Sequence, residues 1–237
     1  MKVYSGNEIR NVVIAGHNDT GKTSLVSQLL FNTGAVTRLG KIEDGTTVTD
    51  FDPDEIDRKH SISAAVAYAE WKDRKINLLD TPGFGIFLQE ARGAMRVADS
   101  AAIVVSGVTG VEVTTEKVWK FADELQLPRL VIVNKMDRER ASFPRTLDSL
   151  HKKFGKNVVP IQLPLGEEKD FSGIIDLVAM KAHQYAADGS GKFDVVDIPA
   201  QHVDAANEWR EKLIEKVAEG DDKLMARFFD QGGLSQE

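Results

Sequence analysis

The sequence predicts an α/β fold, a three-layer sandwich with a mainly parallel sheet, followed by a small α+β subdomain. Two observations support this prediction. Strand-like and helix-like segments alternate over residues 1–140, as they do in a doubly wound parallel sheet. From residue 141 onwards, short strand candidates divided by Gly and Pro replace that alternation. We therefore place one domain at residues 1–140 and a second subdomain at residues 141–237.

The elements of the first domain follow from hydrophobic periodicity. We predict a helix at residues 22–31 whose Leu25, Leu29 and Leu30 share an inward face. Residues 34–61 are polar and acidic; they form either a solvated surface loop or, as is commoner for so long a stretch, a functional segment. Asp73 and Arg74 form a turn between two strands. The strands are predicted at residues 12–15, 62–71, 75–79, 101–105 and 130–133, and two further helices at 87–98 and 114–125.

The second subdomain is predicted to mix short strands with three helices. The helix at residues 203–219 carries Ala206, Trp209, Leu213 and Val217 at helical spacing, which indicates a packing surface. Shorter helices are predicted at 143–154 and 221–229, and strands at 158–163, 174–177, 181–185 and 193–198.

Composition narrows the class of protein. The chain of 237 residues has no cysteine, 42% hydrophobic residues and 28% charged residues, as in an ordinary globular protein. It has neither a signal peptide nor an apolar run near the ~20 residues that span a bilayer, so we predict a cytoplasmic protein without membrane partners. The net charge of -7 disfavours broad attraction to nucleic acid, although a local basic patch can still contact a phosphate backbone.

A glycine-rich run lies between the first predicted strand and the first predicted helix, and it matches G-x-x-x-x-G-K-[ST]. Its backbone N–H groups can cradle a polyphosphate, Lys22 can reach the outer phosphates, and the Thr23 hydroxyl can bind magnesium. A tight turn without a ligand is the alternative. With a phosphate loop in this place, the fold is a P-loop NTPase. The candidate binding residues are Gly16, His17, Asn18, Asp19, Thr20, Gly21, Lys22, Thr23 and Ser24.

A second motif, Asp80-Thr81-Pro82-Gly83, ends the strand at residues 75–79. The Asp80 carboxylate can hold magnesium through a water, and the Gly83 N–H can contact a γ-phosphate. Taken alone, the motif is also typical of a Pro-Gly turn after a strand.

A third motif, Asn134-Lys135-Met136-Asp137, follows the strand at 130–133. A carboxylate at Asp137 can accept hydrogen bonds from the N1–H and the exocyclic amine of guanine, a pair that adenine lacks. Asn134 adds a contact to the base edge, and the stem of Lys135 can cover its face. Three motifs at the carboxyl ends of strands, where an open α/β sheet binds its ligand, together indicate GTP or GDP as the ligand.

These motifs resemble those of translational GTPases, and the rest of the chain is similar to the G domain of elongation factor G. That factor also carries an insertion after its base motif, which agrees with the subdomain at 141–237. Further similar stretches are Asn32-Thr33-Gly34, Gln162-Leu163-Pro164-Leu165-Gly166 and Phe171-Ser172-Gly173-Ile174-Ile175-Asp176.

The resemblance implies site residues and also exposes departures. Ser61 replaces the threonine that closes on magnesium, so the metal ligands would be Thr23, Ser61 and Asp80. The preceding Lys59 and His60 replace a glycine and an isoleucine; loss of the glycine affects how the loop folds, and we expect His60 to be solvated. Asp19 matches an aspartate near a monovalent cation, with a hydrogen bond inside the loop as the alternative.

The largest departure is Phe84, which stands where the family has the histidine that orients the attacking water. A phenyl ring can neither donate nor accept a proton, so hydrolysis is either slow or uses another route to position water. Because phosphoryl transfer depends mostly on positioning and charge, we still predict a GTPase, with Lys22, Gly83 and Phe84 at the reacting centre.

The family's last nucleotide motif is missing. Ser190-Gly191-Lys192 resembles it superficially but follows a polar turn rather than a buried strand, so we reject that match. The chain ends at Gln236 and Glu237, before that motif would occur, and we expect an N-terminal piece of a larger factor.

The resemblance further implies that the whole factor promotes ribosomal translocation, binds ribosomal RNA, contacts the stalk protein through its subdomain, and acts as a monomer. A paralogue for ribosome recycling or protection, and a GTP-sensing module with little hydrolysis, are the alternatives that Phe84 leaves open.

Overall fold

A computed structural model describes residues 2–187 and 191–231 of the chain. The chain divides into two compact units, Met1–Lys135 and Met136–Glu237. Ser190, in the rejected match to the last nucleotide motif, and the chain end at Gln236 and Glu237 lie outside the described residues.

The first unit is built on a five-stranded, mainly parallel sheet. Its strands are β1 (Ile9–Gly16), β2 (Ala65–Trp71), β3 (Arg74–Asp80), β4 (Ser100–Ser106) and β5 (Arg129–Asn134). They lie in the order β2-β3-β1-β4-β5, and only the β2–β3 pair is antiparallel. This order confirms the predicted α/β fold with a mainly parallel sheet.

The hairpin between β2 and β3 turns one residue earlier than predicted. Lys72 and Asp73 both have positive φ angles, 45° and 61°, while Arg74 is already the first residue of β3 and pairs with Trp71. Two left-handed residues match the right-handed twist of the flanking strands, which is why two-residue hairpin loops favour this conformation. The prediction of a turn at Asp73 and Arg74 was therefore wrong in register.

Four α-helices accompany this sheet: α1 (Lys22–Asn32), α2 (Pro53–Arg58), α3 (Leu88–Met95) and α4 (Val113–Glu124). The inward face of α1 differs from the prediction, because Leu29 is 36% exposed. Val26 and Leu30 are buried instead and pack on Ile14 and Val104 of the sheet. Leu25 is partly buried against the same cluster.

The segment at 34–61 contains the short helix α2, so it is not structureless. Asp52 caps this helix, accepting a hydrogen bond from the Asp54 N–H at 2.9 Å. Pro53 occupies the first turn, where its missing N–H costs nothing. Lys59 ends the helix in the left-handed conformation, at φ 57° and ψ 36°. That conformation favours glycine, so Lys59 adopts it at a steric cost.

The second unit pairs a four-stranded antiparallel sheet with helices. Its strands run in sequence order as β6 (Gln162–Leu165), β7 (Gly173–Asp176), β8 (Lys181–Tyr185) and β9 (Phe193–Val196). The helices are α5 (Phe143–Phe154), α6 (Ala200–Ala218) and α7 (Asp222–Gln231).

A small core joins α6 to this sheet. Ala206 is fully buried against Ile175 and Ala182, and Trp209 and Leu213 pack on the same cluster as predicted. Val217 is 47% exposed, so its assignment to the packing surface was wrong. Within the described part of the chain, every helix is too short or too polar to cross a membrane.

Candidate functional site

The strands of the first unit bring the first two motifs and the start of the third to one edge of the sheet. Ile14 of β1 is in register with Asp80 of β3, and Ser106 of β4 with Asn134 of β5. Gly16, which begins the glycine-rich loop, ends β1 at the same edge. Parallel strands place their carboxyl ends together, so segments far apart in sequence meet here.

The glycine-rich loop turns tightly from β1 into α1. Gly16, Asp19 and Gly21 have positive φ angles of 147°, 57° and 91°, and the Thr20 hydroxyl donates to the His17 carbonyl at 3.0 Å. The first hydrogen bond of α1 runs from the Leu25 N–H to the Gly21 carbonyl. The preceding N–H groups therefore have no partner within the helix, and with the helix dipole they form an anion-binding terminus. Ser24 is exposed in the first turn and Asn18 is half-buried in the loop.

Lys22 is a buried cation. Its side chain is 6% exposed, and Nζ donates to the His17 carbonyl at 2.8 Å without an ion pair to any carboxylate in the described part of the chain. Burial lowers the pKa of Lys22 from 10.5 to about 8, against the attraction of Asp80, Asp19 and Asp50. An anion placed beside this ammonium would offset its desolvation, which is what a phosphate at this loop supplies.

Hydroxyl groups and carboxylates converge next to Thr23. Its Oγ1 lies 3.1 Å from the Ser61 Oγ, which donates to Asp50 Oδ1 at 2.7 Å. Thr49 donates to Asp80 Oδ2 at 2.7 Å. The three predicted metal ligands, Thr23, Ser61 and Asp80, thus lie in two hydrogen-bonded groups, and the Thr23 hydroxyl links them because it also lowers the pKa of Asp80. Asp50 and Thr49, which sequence reasoning did not single out, complete these groups.

Both carboxylates of these groups are held in an unfavourable environment. Burial raises the pKa of Asp80 from 3.8 to about 6, although the Thr49 and Thr23 hydroxyls and Lys22 oppose it. Burial likewise raises the pKa of Asp50. Asp80 Oδ1 and Asp50 Oδ2 are buried without a hydrogen-bond partner among the described residues. Oxygen atoms that lack partners beside two hydroxyls suit Mg²⁺, a hard cation that takes oxygen ligands.

The motif from Asp80 to Gly83 is fixed against the glycine-rich loop. Thr81 is buried and donates to the Ile14 carbonyl at 2.8 Å, and Pro82 is buried beside it. A Cβ atom on Gly83 would lie 2.6 Å from the Asn18 backbone nitrogen and 2.5 Å from the Lys22 Nζ. No side chain fits there, so the Gly83 backbone sits where it can contact whatever Lys22 binds.

Phe84 and His60 are in ring contact. Their centroids are 4.7 Å apart and their planes meet at 63°, an edge-on arrangement. His60 is half-buried, and its Nδ1 lies 2.9 Å from the Arg58 carbonyl. His60 is therefore partly shielded by Phe84, whereas its hydrogen bond to Arg58 lies at the surface, and the expectation of a solvated loop histidine stays a prediction. The sequence held one sign that these two residues are in contact. The family's histidine is lost at position 84, and a histidine appears at position 60.

Glu55 holds the segment that carries His60 and Ser61. This carboxylate is buried and accepts from the N–H groups of Ile62 at 2.8 Å and Ser63 at 3.0 Å. The Glu55 carbonyl also accepts from the His60 N–H at 3.2 Å. Sequence reasoning missed Glu55, because a charged residue in an acidic segment gives no sign that it is buried.

The third motif begins against the glycine-rich loop. Asn134 Nδ2 donates to the Thr20 carbonyl at 2.8 Å, and Lys135 Nζ pairs with Asp19 at 2.9 Å. Asp19, for which a nearby monovalent cation and a hydrogen bond inside the loop were the two alternatives, has a lysine partner. These contacts tie the start of the base motif to the phosphate loop.

The remaining two residues of that motif belong to the second unit. Met136 is buried, and its carbonyl accepts from the Glu168 N–H at 2.8 Å. The Asp137 side chain is 67% exposed and 3.9 Å from Arg138. Asp137 therefore keeps an accessible carboxylate, as the predicted contact with guanine requires.

Comparisons with known proteins found a matching family and a similar structure. Residues 7–221 match the family described as elongation factor Tu GTP binding domain. The chain is similar to a crystal structure of a protein from Thermus thermophilus, with 35% identity and a TM-score of 0.88. The similarity covers 95% of this chain and 33% of the other, so the chain spans about a third of that protein's length.

Proposed function

Because the chain belongs to the family of elongation factor Tu GTP-binding domains, we propose that it is the GTP-binding and GTP-hydrolysing module of a ribosome translocation factor of the elongation factor G type. Membership of this family supports GTP binding and hydrolysis in general. We further propose that the factor acts in translocation and that the ribosome is the partner that stimulates hydrolysis. Binding to ribosomal RNA and to the stalk protein is included in it.

The observation that carries the proposal is that a buried cation and carboxylate oxygens without hydrogen-bond partners among the described residues lie at one sheet edge. Lys22 would neutralise the outer phosphates of GTP, aided by the N–H groups of residues 16–24. Thr23, Ser61 and Asp80 would hold Mg²⁺. Bound there, the metal supplies positive charge that stabilises the phosphoryl oxygens.

The same contacts support a switch. Ser61 reaches Thr23, and the Gly83 backbone lies beside Lys22, so the segments that carry Ser61 and Gly83 both touch groups that bind the outer phosphates. A γ-phosphate would hold residues 34–61 and 80–87 in this arrangement, and hydrolysis would release them. Differential contacts to that phosphate supply the driving free energy.

The test is single-turnover release of phosphate from GTP by the intact protein, with and without ribosomes, in parallel with a translocation assay. We expect ribosomes to accelerate both phosphate release and translocation. A rate of phosphate release that ribosomes do not change would contradict the proposed role.

Phe84 favours a second candidate, a factor for ribosome recycling or protection, or a GTP sensor with little hydrolysis. Its ring cannot hydrogen-bond to water, so hydrolysis without a substitute group would be slow. Stimulated hydrolysis without translocation would select the recycling or protection role. Tight GTP binding with negligible hydrolysis on ribosomes would select the sensor.

Base recognition has its own test. Asp137 would accept two hydrogen bonds from guanine, and Asn134, Lys135 and Met136 would complete the base site. Asp137→Asn replaces an acceptor pair by one donor and one acceptor, so the variant should prefer xanthosine to guanosine triphosphate. Nucleotide binding measured by fluorescence would check this, and a variant that still prefers GTP would contradict the assignment of the base.

Domain organisation completes the proposal. Residues 1–140 would form the core of the GTP-binding domain, and residues 141–237 an inserted subdomain that contacts the ribosomal stalk. We propose that the factor acts in the cytoplasm as a monomer. Size-exclusion chromatography with light scattering tests the monomer directly.

A further inference from the structure

Two departures from the family pattern fall on residues that contact each other. Position 84 has lost the histidine that orients water, and position 60 has gained one. The rings of Phe84 and His60 meet edge-on with their centroids 4.7 Å apart. The imidazole is therefore next to the place where the family's histidine would begin.

The ring contact lies between two groups that reach the phosphate loop. His60 directly precedes Ser61, whose hydroxyl is 3.1 Å from the Thr23 hydroxyl. Phe84 directly follows Gly83, where an added Cβ would be 2.5 Å from the Lys22 Nζ. Both rings are thus one residue away from contacts with the groups proposed to hold the γ-phosphate and its magnesium.

The hydrogen bond of the His60 ring determines which of its two nitrogen atoms can accept a hydrogen bond from another group. Its Nδ1 lies 2.9 Å from the Arg58 carbonyl, which can only accept, so Nδ1 carries the proton. The other nitrogen, Nε2, is then an acceptor, and it has no partner among residues 2–187 and 191–231. Phe84 limits rotation of the imidazole from one side, and Glu55 anchors the backbone of His60 through its carbonyl.

We propose that His60 is the group that positions the attacking water in this protein, in place of the histidine that Phe84 replaces. The inference rests on the proposed GTPase function. Nε2 accepts a hydrogen bond from the water and directs its lone pair at the γ-phosphorus. The water oxygen bonds to phosphorus as the bond to the β–γ bridging oxygen breaks; that electron pair stays on GDP, and the water proton ends on inorganic phosphate. His60 neither gains nor loses a proton overall.

The experiment removes the histidine at position 60 and restores one at position 84. Four forms of the intact protein are compared on ribosomes at saturating GTP: unaltered, His60→Ala, Phe84→His, and the double variant. His60→Ala should slow single-turnover phosphate release about a hundredfold, because a misplaced reacting group costs about that much. Its affinities for GTP and GDP should be unchanged, since His60 contacts neither the phosphate loop nor the base motif. Adding Phe84→His should restore most of the rate.

Two further variants separate positioning from folding. His60→Gln keeps an acceptor in nearly the same place and should lose less activity than His60→Ala. His202→Ala removes a histidine from α6 in the second unit and should change nothing.

Each result decides between the possibilities. If His60→Ala hydrolyses GTP as fast as the unaltered protein, the inference is overturned and the proposed function stands. If His60→Ala is slow but Phe84→His does not restore it, or if nucleotide affinity falls with the rate, His60 serves the loop structure and the inference is again overturned. If the unaltered protein binds GTP without hydrolysing it, the proposed function and this inference both fail.

Discussion

Replacing Asp80 by Asn should stabilise the nucleotide-free protein at neutral pH. The carboxylate is buried and one of its oxygens has no partner among the described residues. Burial raises its pKa from 3.8 to about 6, and each unit of pKa is worth about 1.4 kcal/mol, so the charged form costs about 3 kcal/mol. This figure already contains the attraction of Lys22. Asn removes the charge and still accepts the hydrogen bond from Thr49.

The gain depends on pH in a defined direction. The pKa of Asp80 is higher in the folded than in the unfolded protein, so the cost is fully present above pH 6. It fades as the pH falls and is absent below pH 3.8, where Asp80 is protonated in both states. The difference in unfolding free energy between Asp80→Asn and the unaltered protein should therefore shrink between these two values.

Urea unfolding in EDTA, followed by circular dichroism at several pH values, measures this difference. Asp44→Asn is the control, because Asp44 is an exposed carboxylate in the same protein and its replacement should leave stability unchanged. A less stable Asp80→Asn at pH 7, or a gain of equal size at pH 4, would refute the reasoning.

Three further substitutions test the segments around the site. Lys59→Gly removes the steric cost of a lysine in the left-handed conformation but raises the conformational entropy of the unfolded chain. The free energy of unfolding, measured by thermal unfolding, should therefore rise by about 0.5 kcal/mol. A lower free energy of unfolding would contradict the strain at Lys59. Glu55→Ala leaves two backbone N–H groups without their acceptor, at a cost of about 2 kcal/mol, and should speed amide exchange in residues 60–63; unchanged exchange would mean that Glu55 does not anchor them. Gly83→Ala places a methyl group 2.6 Å from the Asn18 nitrogen and should cost about 2 kcal/mol in urea unfolding, whereas Gly85→Ala, with open space around it, should cost little.

Hydrophobic periodicity and glycine-rich turns predicted those strands and helices in which apolar residues are buried and polar residues are exposed. The strand, loop and helix around Gly16 and Lys22 were predictable because a buried apolar run, a glycine-rich turn and helical spacing each have a clear signature. The inward face of α1 was not, since Leu29 was placed inside and is exposed. The first turn of that helix buries Lys22, a charged residue that hydrophobic periodicity does not place inside.

In the candidate site, too, some residues were predictable from the sequence and others were not. Two sequence motifs pointed to Thr23 and Asp80 as metal ligands, and the resemblance to elongation factor G added Ser61. Asp50 and the contact between His60 and Phe84 depend on how residues 34–61 fold back, which no local period encodes. A polar segment can take many paths, and its path is set by tertiary contacts such as the buried Glu55 carboxylate.

Lys22 and Asp80 have opposite charges in one buried site, yet they do not form an ion pair with each other. Burial disfavours the charged form of both side chains, so it lowers the pKa of Lys22 and raises the pKa of Asp80. A polyphosphate beside Lys22 and a dication beside Asp80 would offset these two costs together. A ligand at a hundred times its dissociation constant stabilises a protein by about 2.7 kcal/mol, close to the cost of charging Asp80. Asp80→Asn should therefore gain stability without ligand and lose most of the stabilisation that GTP and magnesium add, so the unfavourable charge is what couples stability to binding.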